Sequence, residues 1–106
     1  MAQHIEVVTT TDSQDDARRI ARELVESRLA ACVQIRGPIE SIYRWKGQIE
    51  SAQEWQCVAK TRRELFPQVE KTIRELHSYE VPEILAVEIV ESSRAYTEWL
   101  DQQVGR

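Results

Sequence analysis

The chain has 106 residues, 42% of them hydrophobic and 30% charged, with a formal net charge of −4. That balance argues against disorder and against a nucleic-acid binder, whose phosphate contacts need a basic surface. No apolar run reaches the roughly 18 residues that cross a bilayer, and the polar start Met1–Glu6 lacks a signal-peptide layout, so a cytoplasmic protein without a membrane partner is expected.

Taken in order, the chain reads as one domain over residues 1–106. The β-branched run Ile5–Thr11 predicts a strand. Ser13-x-x-Asp16 resembles a capping box, and Ala17, Ile20, Ala21, Leu24 and Val25 recur at helical spacing. Leu29–Ile35 reads as a buried strand. Gly37-Pro38 interrupts it as a bulge or bend, since proline gives no ladder hydrogen bond, and Ile39–Trp45 resumes it. Lys46-Gly47 marks a hairpin tip, with a return strand over Gln53–Lys60 carrying Trp55, Cys57 and Ala59 on one face. Thr61-x-x-Glu64 reads as a second capping box, ahead of the stripe Leu65, Phe66, Val69, Ile73 and Leu76. Pro67 fits that helix poorly, because at its sixth position it would remove a hydrogen bond. After a loop, His77–Pro82, Glu83–Val90 reads as a strand, and Ser92-Ser93 opens a short helix with Ala95, Tyr96, Trp99 and Leu100. The order β-α-β-β-α-β plus a carboxy-terminal helix predicts an α+β, ferredoxin-like split βαβ fold with an antiparallel sheet and a long hairpin.

The last strand carries a further implication. Leu85, Val87 and Ile89 point to one face, Ile84, Ala86 and Val90 to the other, and only Glu88 is polar. A half-exposed antiparallel strand should alternate, so a homo-oligomer is expected to cover the face that the helices leave open. Cys32 and Cys57 form no C-x-x-C pair and read as small core residues. Asp15 and Asp16 read as helix-start acids, and His4 as a disordered or strand-edge residue without function.

Four segments carry a family resemblance: Leu29-Ala30-Ala31-Cys32-Val33, Ser41-Ile42-Tyr43-Arg44-Trp45-Lys46-Gly47, Lys60-Thr61-Arg62 and His77-Ser78-Tyr79-Glu80-Val81-Pro82-Glu83-Ile84. Together they resemble the CutA divalent-cation tolerance family over Ile5–Leu100. The resemblance implies a cytoplasmic homotrimer whose long hairpins pair between neighbours, a part in tolerance of divalent metals such as copper, and no settled biochemical activity. Two departures stand out. Thr9, in Val8-Thr9-Thr10, is the expected equivalent of a cysteine proposed as a metal ligand in some members, and Ser78 replaces the proline of the family's His-Pro-Tyr.

His77 is the leading metal-ligand candidate. It ends a helix whose dipole favours a cation, with Glu83 a short loop away, and imidazole with carboxylate suits copper or zinc. Two ligands make a weak site, which Glu80, water or another subunit would complete. Tyr43, Trp45, Tyr79 and Trp99 are expected to line an intersubunit cleft, where Lys60 and Arg62 could neutralise an anionic ligand. No nucleophile with an activating base is visible, so no enzyme is expected. The same features also suit a small-molecule sensor resembling PII-like trimers, or a module that trimerises or anchors another protein.

Overall fold

The β-branched run at the amino end becomes an inner strand, β1 (His4–Thr11), in a computed structural model that describes residues 2–105. It is followed by α1 (Gln14–Glu26), β2 (Cys32–Trp45), β3 (Gln48–Arg62), a 3₁₀ turn at Arg63–Leu65, α2 (Phe66–Leu76), β4 (Leu85–Glu88) and α3 (Arg94–Gln103). The four strands form one antiparallel sheet in the order β2-β3-β1-β4. The predicted ferredoxin-like order is therefore the observed one, with α3 added at the end.

Local chemistry explains the boundaries. Ser13 caps α1, its hydroxyl accepting from the Asp16 amide at 3.1 Å, with Asp15 and Asp16 in the first turn. Ala17, Ile20, Ala21 and Leu24 are buried, whereas Val25, expected on the same stripe, stays exposed. Arg28 takes φ 61° just past the helix, and the Leu29 and Ala30 amides both bond back to the Leu24 carbonyl. That turn uses up Leu29–Ala31, so the next strand starts at Cys32 rather than at Leu29. Lys46 and Gly47, at φ 50° and 80°, form the two-residue hairpin tip between Trp45 and Gln48. The Gly37–Pro38 peptide is cis, and the β2–β3 register shifts between Arg36 and Ile39, which is the expected interruption.

Two expectations are corrected. Thr61-x-x-Glu64 is not a helix cap: β3 runs on to Arg62, and the Thr61 hydroxyl donates to the Leu29 carbonyl at 2.6 Å. The helix starts later, at Phe66, which places Pro67 in its first turn. Amides there have no partner within the helix, so proline removes nothing. The last strand is also shorter than Glu83–Val90. The ladder with β1 is confined to Leu85–Glu88, extended by one bond from the Ile89 amide to the His4 carbonyl at 3.0 Å, and farther along β1 the Thr10 carbonyl is taken by the His77 ring instead.

The core lies between the sheet and its helices. Ile5, Val7 and Ala59 share one buried cluster with Ile20 and Leu24 of α1 and Val69 and Ile73 of α2, and Leu100 and Val104 join that cluster from the carboxy end. Cys57 belongs to the α1 side, its thiol donating to the Ala17 carbonyl at 3.4 Å, and burial pushes its pKa up to about 11. Cys32 is only half-buried. On the opposite face α3 covers the end of the sheet near His4 and Arg62, both of which bond to Asp101. Beyond that, Leu85 and Val87 remain 43% and 48% exposed. The hairpin extends past the helices. The molecule is 44 Å long against 25 and 23 Å across, and its radius of gyration of 14.3 Å exceeds the about 13 Å usual for this length.

Candidate functional site: a carboxylate-lined aromatic cavity

The loop after α2 folds back toward the hairpin, and between them lies an open-sided cavity of about 840 Å³, where Ile42 and Val81 stay largely exposed. One wall is the hairpin, with Ser41, Ile42, Tyr43 and Trp45 of β2 and Glu54 of β3; the other is the loop Ser78–Glu83, and Thr10 closes the end. Two anchors hold the loop. The His77 ring bonds to the Thr10 carbonyl through Nε2 at 2.8 Å and to the Tyr79 amide through Nδ1 at 3.1 Å. A carbonyl can only accept and an amide can only donate, so Nε2 carries the proton and Nδ1 the lone pair. Tyr79 then packs on the His77 ring, with centroids 4.8 Å apart, and donates its hydroxyl to Glu54 Oε2 at 2.7 Å.

Glu54 is the unusual member, only 6% exposed although it is an acidic side chain. Alternation along β3 puts it on the face of Gln56 and Val58, opposite Cys57 and the helices. Burial, more than the neighbouring Glu54 carboxylate, pushes the Tyr79 phenol well above its usual range, so it remains a donor.

The expected site residues separate into two groups. Tyr43, Trp45, Tyr79, Glu80 and Glu83 all line the cavity, and they do so within one chain, because the Tyr79–Glu54 bond draws the loop onto its own hairpin. His77 supports the cavity from behind with both ring nitrogens engaged. Lys60, Arg62 and Trp99, expected in the same cleft, lie elsewhere. Lys60 donates to Gln34 at 2.6 Å and faces Glu6 at 3.8 Å. Arg62 is tied to Glu64 and to Asp101, and Trp99 stacks on Tyr96 within α3. Strand register separates Lys60 and Arg62 from Glu54 by six and eight residues along β3, too far for them to neutralise it. Of Thr9 and Thr10, it is Thr10 that reaches the cavity. Thr9 shares the helix-facing side with Cys57, and its buried hydroxyl has no hydrogen-bond partner among the described residues.

Glu54 and Thr10 escaped the sequence reading. Glu54 sits among Gln53, Gln56 and Lys60, a pattern that looks like a solvated strand face, and only the fold-back of a distant loop buries it. Among the described residues, no three His, Cys, Asp or Glu side chains cluster closely enough to hold a metal ion within one chain.

A small split βαβ domain with a projecting hairpin and a loop-covered cavity defines the class of protein. The comparisons specify it further. Residues 5–103 match the family model described as CutA1 divalent ion tolerance protein. The divalent-cation tolerance protein CutA of Thermus thermophilus is 44% identical, over 93% of this chain and 96% of that protein. The solved structure of the protein described as periplasmic divalent cation tolerance protein CutA from Archaeoglobus fulgidus superposes with a TM-score of 0.92 at 40% identity, covering 95% of this chain and 98% of that one. CutA1 of Shewanella sp. SIB1 gives 0.95 at 35% identity, covering 99% and 98%. The chain belongs to the CutA1 divalent ion tolerance family.

Proposed function

We propose that this chain serves divalent-cation tolerance as a non-catalytic homotrimer in the cytoplasm, binding an ion such as copper or zinc weakly at the cavity. The observation that supports this reading is the charge of the cavity. Glu54, Glu80 and Glu83 line it, and among the described residues no lysine or arginine does. Carboxylate oxygens, with an imidazole at hand, are suitable donors for borderline divalent ions. The donor set is incomplete within one chain, so water or a neighbouring subunit would supply the remainder. His77 would join only by giving up the Tyr79 amide at Nδ1. Both features point to weak binding.

Calorimetric titration of zinc and copper into the wild type, Glu80→Ala/Glu83→Ala and His77→Ala tests the proposal. Binding in the micromolar to millimolar range is expected, weakened at least tenfold by the double variant and by His77→Ala. Equal affinity in all three proteins would dismiss the cavity as the metal site.

A further inference from the structure

The cavity has features that a metal ion does not require. Glu54 is more than nine-tenths buried and lines it; Oε2 accepts from Tyr79, while Oε1 takes no hydrogen bond from any described residue and is the part of the carboxyl group that opens to the cavity. No cationic side chain among the described residues pairs with this carboxylate, although a buried charge is costly unless paired. One neutral hydroxyl is only partial compensation. The walls are mainly aromatic and apolar, from Ile42, Tyr43, Trp45, Tyr79, Val81 and Pro82. Aromatic faces attract cations through their quadrupole, and Trp45 already does so within its own chain, with the Lys46 ammonium 5.7 Å from the ring centroid.

These features select among ligand classes. An anion would meet three carboxylates, with Lys46, over the Trp45 ring, as the cation at the edge of the cavity. A neutral apolar molecule would take Glu54 Oε1 out of water without giving it a partner. A bare or hydrated metal ion would gain little from aromatic walls. A weakly hydrated organic cation satisfies both the charge and the walls, and the 840 Å³ volume falls within the roughly 300–1,000 Å³ of small-molecule pockets. We propose that the cavity binds a small alkylated ammonium compound, its charge directed to Glu54 and its alkyl groups against Tyr43 and Trp45.

The test is calorimetric titration of the full-length protein with choline in the presence of EDTA, beside the uncharged carbon isostere 3,3-dimethylbutan-1-ol. Choline is expected to bind saturably and at least tenfold more tightly than the alcohol. Glu54→Gln and Trp45→Leu should each weaken choline at least tenfold, with circular dichroism and light scattering unchanged. Should Glu54→Gln fail to fold, Trp45→Leu, at a partly exposed hairpin position, decides alone. Equal binding of choline and alcohol, no saturable heat, or unaltered affinity in the variants overturns the proposal. It shares the cavity with the function proposed above but not the ion. Choline binding in EDTA without zinc binding in its absence would uphold this inference and fail that reading, and the reverse pattern would do the opposite.

Discussion

A methyl group added at Gly37 would lie 2.4 Å from Trp55 Cδ1 and 2.8 Å from Cγ. The Cγ atom is fixed one bond from the Trp55 Cβ, so the ring cannot swing clear by a late torsion. The whole side chain, or the backbone at the β2–β3 irregularity, has to move. Gly37→Ala should therefore cost about 1–3 kcal/mol, the range for overpacking, read as a lower urea midpoint at unchanged m-value. A midpoint equal to the wild type would mean that the irregularity yields freely. Gly37 was legible as a break in the strand, but its reason was not, because the partner lies eighteen residues away across the hairpin. The same limit separates the cavity residues. Tyr43, Trp45, Tyr79, Glu80 and Glu83 stand in two short, distinctive segments and could be grouped from the sequence. Glu54 belongs to neither, and its burial follows from a tertiary bond to Tyr79. The reverse error placed Lys60 and Arg62 in the cleft, since sequence proximity to a motif says nothing about distance along a strand.

Elements were most legible where one residue's chemistry decides a boundary. Ser13 caps α1 and Ser93 caps α3, each accepting from an amide three residues on. They were least legible where a tertiary bond competes for the same side chain, as at Thr61, which a helix-cap pattern claims and the Leu29 carbonyl takes. The docking of α3 offers a test at this scale. His4 Nε2 and the Arg62 guanidinium both donate to Asp101 Oδ1, at 2.8 and 2.7 Å. The hydrogen bond from His4, reinforced by Arg62, holds the Asp101 carboxyl below its usual range against a smaller opposing effect of burial. A carboxylate depressed in the folded state contributes stability that is complete above its unfolded pKa of about 3.9 and disappears as pH falls through the folded value. Asp101→Asn should therefore melt below the wild type at pH 7, and the difference should close as the pH is lowered beneath about 4. Melting curves across that range check it; a gap that persists undiminished in acid would show that the contact acts by packing alone.

At the scale of the molecule, the apolar surface is the feature that one chain leaves unresolved. Ile42 and Ile49 on the hairpin are 70% and 62% exposed, and Leu85 and Val87 lie together on the sheet face that α3 does not reach. The lack of alternation in the last strand had already indicated this from the sequence, even though the strand proved shorter, because the pattern reports burial and not strand length. Full burial of such a side chain is worth about 1.5–3 kcal/mol, of which covering the part still exposed would recover roughly half. A hairpin projecting beyond its own helices cannot be covered by them, and β2 and β4 both leave a sheet edge unpaired. Self-association through these surfaces is the expected outcome. Light scattering at low micromolar concentration should give a mass well above the 12.4 kDa of one chain, and three times that mass for a trimer. Ile42→Glu with Ile49→Glu places charge on the hairpin without touching the core, and should shift the species toward 12.4 kDa while leaving far-ultraviolet circular dichroism intact. If the wild type itself runs at 12.4 kDa when dilute, the exposed face is stable in water alone. If the double variant stays assembled, the sheet face at Leu85 and Val87, and not the hairpin, holds the subunits together.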